Sequence, residues 1–112
     1  MTIGSREMDG ITIVEPRGRL DAASAKSFKD AVMQRAEKGA KRLVVDLSQV
    51  RFLDSSGLGV LVSCLRQVTA SGGDIKICGL RPEIQSLFAL TRLNRVFDIF
   101  ATAEEAVAAF EG

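Results

Sequence analysis

The sequence predicts an α/β fold built on a mainly parallel sheet, and three observations carry that expectation. The apolar run at residues 43–47 reads as a buried strand. It leads, through a short polar turn, into Leu58, Leu61, Val62, Leu65 and Val68, whose steps of three and four mark one face of a helix. The same alternation of short apolar runs and helical spacing recurs on either side of this stretch, which implies right-handed crossovers between parallel strands. Asp9-Gly10, between two further strand-like runs, adds an antiparallel hairpin at the start.

Taken in order, residues 3–8 form the first strand and residues 11–14 the second, with Pro16 near that strand's end or on an exposed edge. Residues 17–21 carry the chain out of it. Asp21 caps the first helix, with Ser24 at the third helical position and Ala25, Phe28, Val32 and Ala36 along the inner face. Gly39 ends it. After the strand at 43–47 and the central turn, the second helix runs to about residue 71, where Gly72-Gly73 stops it. Residues 75–78 form another strand. Arg81-Pro82 opens a third helix with Ile84, Leu87 and Phe88 inward, a break at Thr91, and Leu93 beyond it. Residues 96–100 read as a last strand. Thr102 and Glu105 make a capping box for a final helix with Ala106, Val107 and Phe110 inside. The expected order is ββαβαβαβα, one domain over residues 1–112.

Composition narrows the function classes. At 112 residues the chain can bury a core of its own, and 46% hydrophobic with 26% charged content is ordinary for a globular domain. A net charge of +1, spread along the chain, leaves no basic footprint for nucleic acid and no polybasic membrane anchor. With neither Trp nor Tyr, stacking of bases on an aromatic platform is not expected. No apolar run approaches the roughly 18 residues of a membrane span, and the first residues lack a signal-peptide core. Cys64 and Cys78 lie in apolar contexts and form no CxxC pair, which suits buried thiols of a reducing compartment. A cytoplasmic, soluble protein is expected. The absence of histidine removes the usual general base, the Ser-His and Cys-His pairs and the commonest metal ligand. An ordinary hydrolase is not expected.

The central turn, Asp54-Ser55-Ser56-Gly57-Leu58-Gly59, holds the candidate chemistry. A helix starting at Ser55 or Ser56 aims its free N–H groups and positive dipole end at the turn, where an anion is favoured. The plain alternative is a helix cap, for which Asp and Ser are preferred. Two details ask for more than a cap. Neither serine has Glu or Gln three residues on, and Gly57 and Gly59 both fall in the first turn, where each costs up to about 1 kcal/mol against alanine. Glycine there makes sense where another backbone, a loop or a phosphate comes close.

Asp21, Asp46 and Asp54 all fall near strand ends, where a metal site or a phospho-aspartate competes with structural roles. A two-component receiver needs an acidic pair after its first parallel strand and a lysine after its last. Those places read Val14-Glu15-Pro16-Arg17 and Phe100-Ala101-Thr102-Ala103. The preferred roles are Asp21 as a cap, Asp46 as a strand-end acid and Asp54 within the turn, with no metal and no cofactor. Gly57-Leu58-Gly59 lacks the Gly-Lys-Ser/Thr of a P-loop. Arg17, Arg19, Arg51, Arg92 and Arg95 read as solvated charges, with contact to a partner or a phosphate as the alternative for Arg51.

Val44-Val45-Asp46-Leu47-Ser48 followed by Phe52-Leu53-Asp54-Ser55-Ser56-Gly57-Leu58-Gly59 resembles the signature of the STAS domain, specifically the bacterial anti-sigma-factor antagonists. Gly18-Arg19-Leu20-Asp21 matches that family's other recurrent piece. The resemblance covers nearly the whole chain and implies a STAS-type single domain with helices packed on the sheet. It also implies a partner switch. The unmodified antagonist binds an anti-sigma factor that is also a serine kinase and so frees the sigma factor. That kinase phosphorylates the serine after the motif's aspartate, here Ser55, and a metal-dependent serine phosphatase reverses the step. The implied docking surface is Asp54, Ser55, Ser56, Gly57 and Leu58 with the exposed side of the following helix, plus the 18–21 loop with Asp21. A permanently docked STAS subunit of a lipid-transport ATPase or signalling scaffold is the alternative. Nucleotide hydrolysis at the glycine-bearing turn is a third.

Overall fold

A computed structural model describes residues 1–111. β1 (Thr2–Met8) and β2 (Ile11–Leu20) pair antiparallel from Thr2↔Arg17 to Met8↔Ile11. Asp9 and Gly10 join them with φ of 54° and 79°, the two left-handed residues that a type I′ turn requires. Then follow α1 (Ala25–Glu37), β3 (Arg42–Asp46), β4 (Val50–Leu53), α2 (Ser55–Ala70), β5 (Asp74–Cys78), α3 (Pro82–Leu90), a 3-10 turn (Leu93–Arg95), β6 (Ile99–Phe100) and α4 (Ala103–Glu111). The six strands form one sheet in the order β1-β2-β3-β5-β6, with β4 paired to the far end of β2; every pairing after the first hairpin is parallel.

The expected mixed sheet with its N-terminal hairpin is present, with three differences. β4 is an additional strand inside what reads in sequence as the central turn. β2 runs on to Leu20, since β3 faces it only at Thr12–Val14 and β4 faces it at Gly18–Leu20. Pro16 is therefore neither at the strand's end nor on an edge. It falls in the gap between the two parallel partners, where a missing N–H breaks no bond on that side. The last strand shrinks from 96–100 to Ile99–Phe100, because the 3-10 turn, entered through Arg92 at φ 61°, turns Phe97 into the core against Phe88 with ring centroids 6.2 Å apart.

Alternation along the strands divides the core between the two faces of the sheet. Val14, Leu43, Val45, Ile75 and Ile77 meet Phe28 and Val32 of α1, Leu61, Cys64 and Val68 of α2, and Ile84 and Phe88 of α3. Ile11, Ile13, Val44 and Cys78 point the other way and are covered by Ala103, Ala106 and Val107 of α4. Burying each large side chain contributes about 1.5–3 kcal/mol, so the first, larger cluster dominates stability.

Candidate functional site

Two parallel strands end side by side and each hands the chain to a helix. Leu20 lies opposite Leu53 in the β2–β4 register, and Asp54 N donates to Leu20 O at 3.4 Å. From Leu20 the chain enters α1 through Asp21; from Leu53 it enters α2 through Asp54. Asp21 Oδ1 accepts from Ala23 N (3.1 Å) and Ser24 N (3.2 Å). In return Asp21 N donates to Ser24 Oγ at 3.0 Å, and that hydroxyl donates to Arg19 O at 2.6 Å. Asp21 and Ser24 thus bond reciprocally across the turn of residues 21–24. The helix itself starts later than expected, at Ala25, with Ser24 at its N-cap position and no side-chain cap bond, so Asp21 caps the turn that leads into α1 rather than α1 itself. Partial burial opposes the charge on Asp21, but bonds from the Arg19 side chain and from Ser24 and Ala23 outweigh it and hold the carboxyl below its ordinary value.

Asp54 is the N-cap of α2. Its backbone is extended (φ −110°, ψ −170°) and its Oδ1 accepts from Gly57 N at 3.0 Å, so the capping reading holds. Close approach of another backbone explains one of the two glycines. A Cβ on Gly57 would collide with the Leu20 carbonyl oxygen, so only glycine lets the first turn of α2 lie against the end of β2. Gly59 is exposed with open space around it, and no close approach explains it.

This clamp presents Ser55 and Ser56 as the first two residues of α2, both exposed. Among the described residues no hydrogen bond occupies either hydroxyl. No acidic side chain follows in the first turn, so the N–H groups and dipole of a sixteen-residue helix face outward uncompensated except by Asp54. Gly57 and Leu58 are buried beneath the serines, Leu58 at the start of an open groove of about 640 Å³ along α2 that Val62, Arg66, Thr91 and Leu93 also line. Asp46 remains a strand-end acid, its Oδ1 accepting from Ser48 N at 3.0 Å. Among the described residues no three His, Cys, Asp or Glu side chains gather as a metal site would require.

A family model of the STAS domain matches residues 3–106. The chain belongs to the STAS domain family. Among its relatives is the anti-sigma-B factor antagonist of Bacillus subtilis, 36% identical over 90 residues, or 80% of this chain and 82% of the relative. A crystal structure of an anti-sigma factor antagonist from Mycobacterium paratuberculosis superposes with a TM-score of 0.89 at 26% identity, covering 99% of this chain and 94% of that one. The antagonist SpoIIAA shares the fold at 18–19% identity in both its unphosphorylated form (TM-score 0.74, covering 99% of each chain) and its phosphorylated form from Bacillus (0.73, covering 97% and 99%). At that identity the likeness is one of fold.

Two features of this STAS domain escaped the sequence. The Arg19 guanidinium carbon sits 3.9 Å from the centroid of the Phe52 ring, and its Nε lies 3.4 Å from Asp21 Oδ2. A cation over an exposed ring contributes about 0.5–1 kcal/mol. Nothing local announces the pair, which lies 33 positions apart in sequence; only the unforeseen β4 sets Arg19 opposite Phe52. The second is Lys76 on the α4 face, almost fully buried, bonded to Asp98 Oδ2 at 2.8 Å and 3.4 Å from Asp74 Oδ2. Burial disfavours its charge, but the Asp98 hydrogen bond and the charges of Asp98 and Asp74 outweigh that and raise its pKa. The thiols are buried as expected. Burial pushes Cys64 up to about 11. Burial, then the Asp46 and Glu104 charges, pushes Cys78 up to about 12, so neither is a ready nucleophile at neutral pH. Among the described residues no helix is long and apolar enough to cross a membrane.

Proposed function

We propose that this protein is an anti-sigma-factor antagonist with no catalysis of its own. Its unmodified form binds an anti-sigma factor that is also a serine kinase, and phosphate placed on Ser55 by that kinase ends the binding until a metal-dependent phosphatase removes it. The observation that carries this reading is the free, exposed Ser55 hydroxyl at the first position of α2, beside the capping Asp54. The names of the relatives point the same way. A phosphate adds about −1.5 to −2 charge and three acceptor oxygens. At the start of α2 the helix dipole offsets part of that charge, by about 0.3–1 kcal/mol at an exposed site, so the fold tolerates it. The Asp54 carboxylate repels it, as does any acidic surface on the partner, so the interface is where the modification acts.

Incubating the protein with ATP and its host's soluble extract, then mapping phosphate by mass spectrometry, tests this. Phosphate on Ser55, absent from Ser55→Ala, is expected. Ser55→Ala stays competent to bind the kinase and Ser55→Asp does not. Phosphate confined to Ser56, or Ser55→Asp binding as tightly as wild type, contradicts the reading.

A further inference from the structure

At the strand ends that lead into Ser55 stands a cation that the phosphorylation account leaves idle. The Arg19 side chain is 62% exposed, yet its position is fixed on two sides, with the Phe52 ring under its plane and Asp21 at its Nε edge. The next step of the same register, Leu20↔Leu53, leads directly into Asp54 and the serines. Phe52 is itself 38% exposed, one of few large apolar side chains left at the surface. Only Nε of the guanidinium is engaged among the described residues. The Nη1 and Nη2 pair stays free, and that fork is the geometry that grips a carboxylate with two parallel bonds. A side chain already held in place loses little freedom on binding, and a buried arginine–aromatic pair is a common composition for an interface hot spot.

The charges around it select the sign of the partner. Asp21 and Asp54 are each tied to N–H groups at a helix start. Arg51, beside Phe52 in β4, is exposed. We propose that Arg19, propped on Phe52 and braced by Asp21, is the specificity residue of the docking face around Ser55 and pairs with a carboxylate on the kinase. This rests on the function proposed above and names the chemistry of its partner. It also ties recognition to the switch, because phosphate on Ser55 brings negative charge to a face whose complement is acidic.

The test is isothermal titration of the kinase found to phosphorylate Ser55 against Arg19→Ala, Arg19→Glu, Arg19→Lys, Phe52→Ala and the Arg19→Ala/Phe52→Ala double variant, at low and high salt. Arg19→Ala weakens binding about tenfold and Arg19→Glu about a hundredfold or more. Arg19→Lys recovers only part, since an ammonium lacks the fork. The double variant is less than the product of the single effects, because Phe52 acts partly through Arg19. Weakening by salt is reduced in Arg19→Ala. A merely structural Arg19 would lose affinity only in step with stability. Here Arg19→Lys and Arg19→Ala, which both give up the fork, differ from Phe52→Ala in affinity and salt dependence, while all three lower the unfolding midpoint by similar small amounts. Arg19→Glu binding within about twofold of wild type, when wild type binds, overturns this inference alone. If no Ser55 kinase binds the wild-type protein, the proposed function falls and this inference with it.

Discussion

At the start of α4, Thr102 Oγ1 accepts from Glu105 N at 3.2 Å, the Glu105 carboxylate accepts from Ala101 N at 3.3 Å, and Glu104 adds a second negative charge to the first turn. At the start of α2 the cap is a single Asp54 bond to Gly57 N, with no acid in the turn, two idle hydroxyls and two glycines. By propensity, capping and dipole α4 is the better helix start, and each of those differences is worth some tenths to one kcal/mol, about, per residue. What α2 gains instead is position. Gly57 lets its first turn press on the Leu20 carbonyl, so that the serines start directly from the paired strand ends that carry the Asp21 turn and the Arg19–Phe52 pair. α4 holds the sheet, whereas α2, on the proposed function, presents a serine.

The sharpest way to break this comparison is Gly57→Ala. The new methyl meets backbone that cannot swing aside, and the expected loss is about 2–3 kcal/mol in urea unfolding. A change below about 0.5 kcal/mol would mean that the clamp on Leu20 is loose. Next come the caps, with Thr102→Ala and Asp54→Ala each costing about 1 kcal/mol. Only Asp54→Ala is expected also to slow phosphorylation of Ser55, which separates a helix start used for presentation from one used for stability. Gly59→Ala lies in open space and is expected to stabilise by up to about 1 kcal/mol, the opposite sign to its neighbour two residues back. The smallest effect concerns the α4 face. Because the folded Lys76 pKa lies above its ordinary 10.5, its contribution to stability is complete below that pH and is lost as pH rises through the folded value. Asp98→Asn is expected to flatten that alkaline loss in unfolding curves recorded across the range.

Most of the α/β order is written in the sequence because helical and strand periods alternate cleanly there, and because Asp9-Gly10, Gly72-Gly73 and Arg81-Pro82 punctuate it. β4 was illegible for a physical reason. Val50–Leu53 has four residues with only its ends buried, so it shows no period of two, and its partner is the far end of a strand some thirty positions earlier. The same long-range pairing hid the extension of β2 past Pro16 and the contact of Arg19 with Phe52. Lys76 reads as the polar member of an alternating strand; that its charge is paired depends on Asp98, 22 positions away, and its amine lies 4.7 Å from the centroid of the Phe110 ring of α4. For the site, the cap of Asp54 and the need for glycine were visible, but the backbone that makes Gly57 necessary was visible only once β2 and β4 lay side by side.

On the proposed function, phosphate on Ser55 changes an interface and leaves the fold alone. Phosphorylating the protein with its kinase, then comparing amide NMR spectra and kinase affinity of the modified and unmodified forms, tests both halves together. The account predicts shifts confined to the first turn of α2 and the neighbouring Arg19–Asp21 segment, with affinity reduced about a hundredfold or more. Shifts spread through both cores, or a phosphorylated form that binds as tightly as the unmodified one, would contradict it.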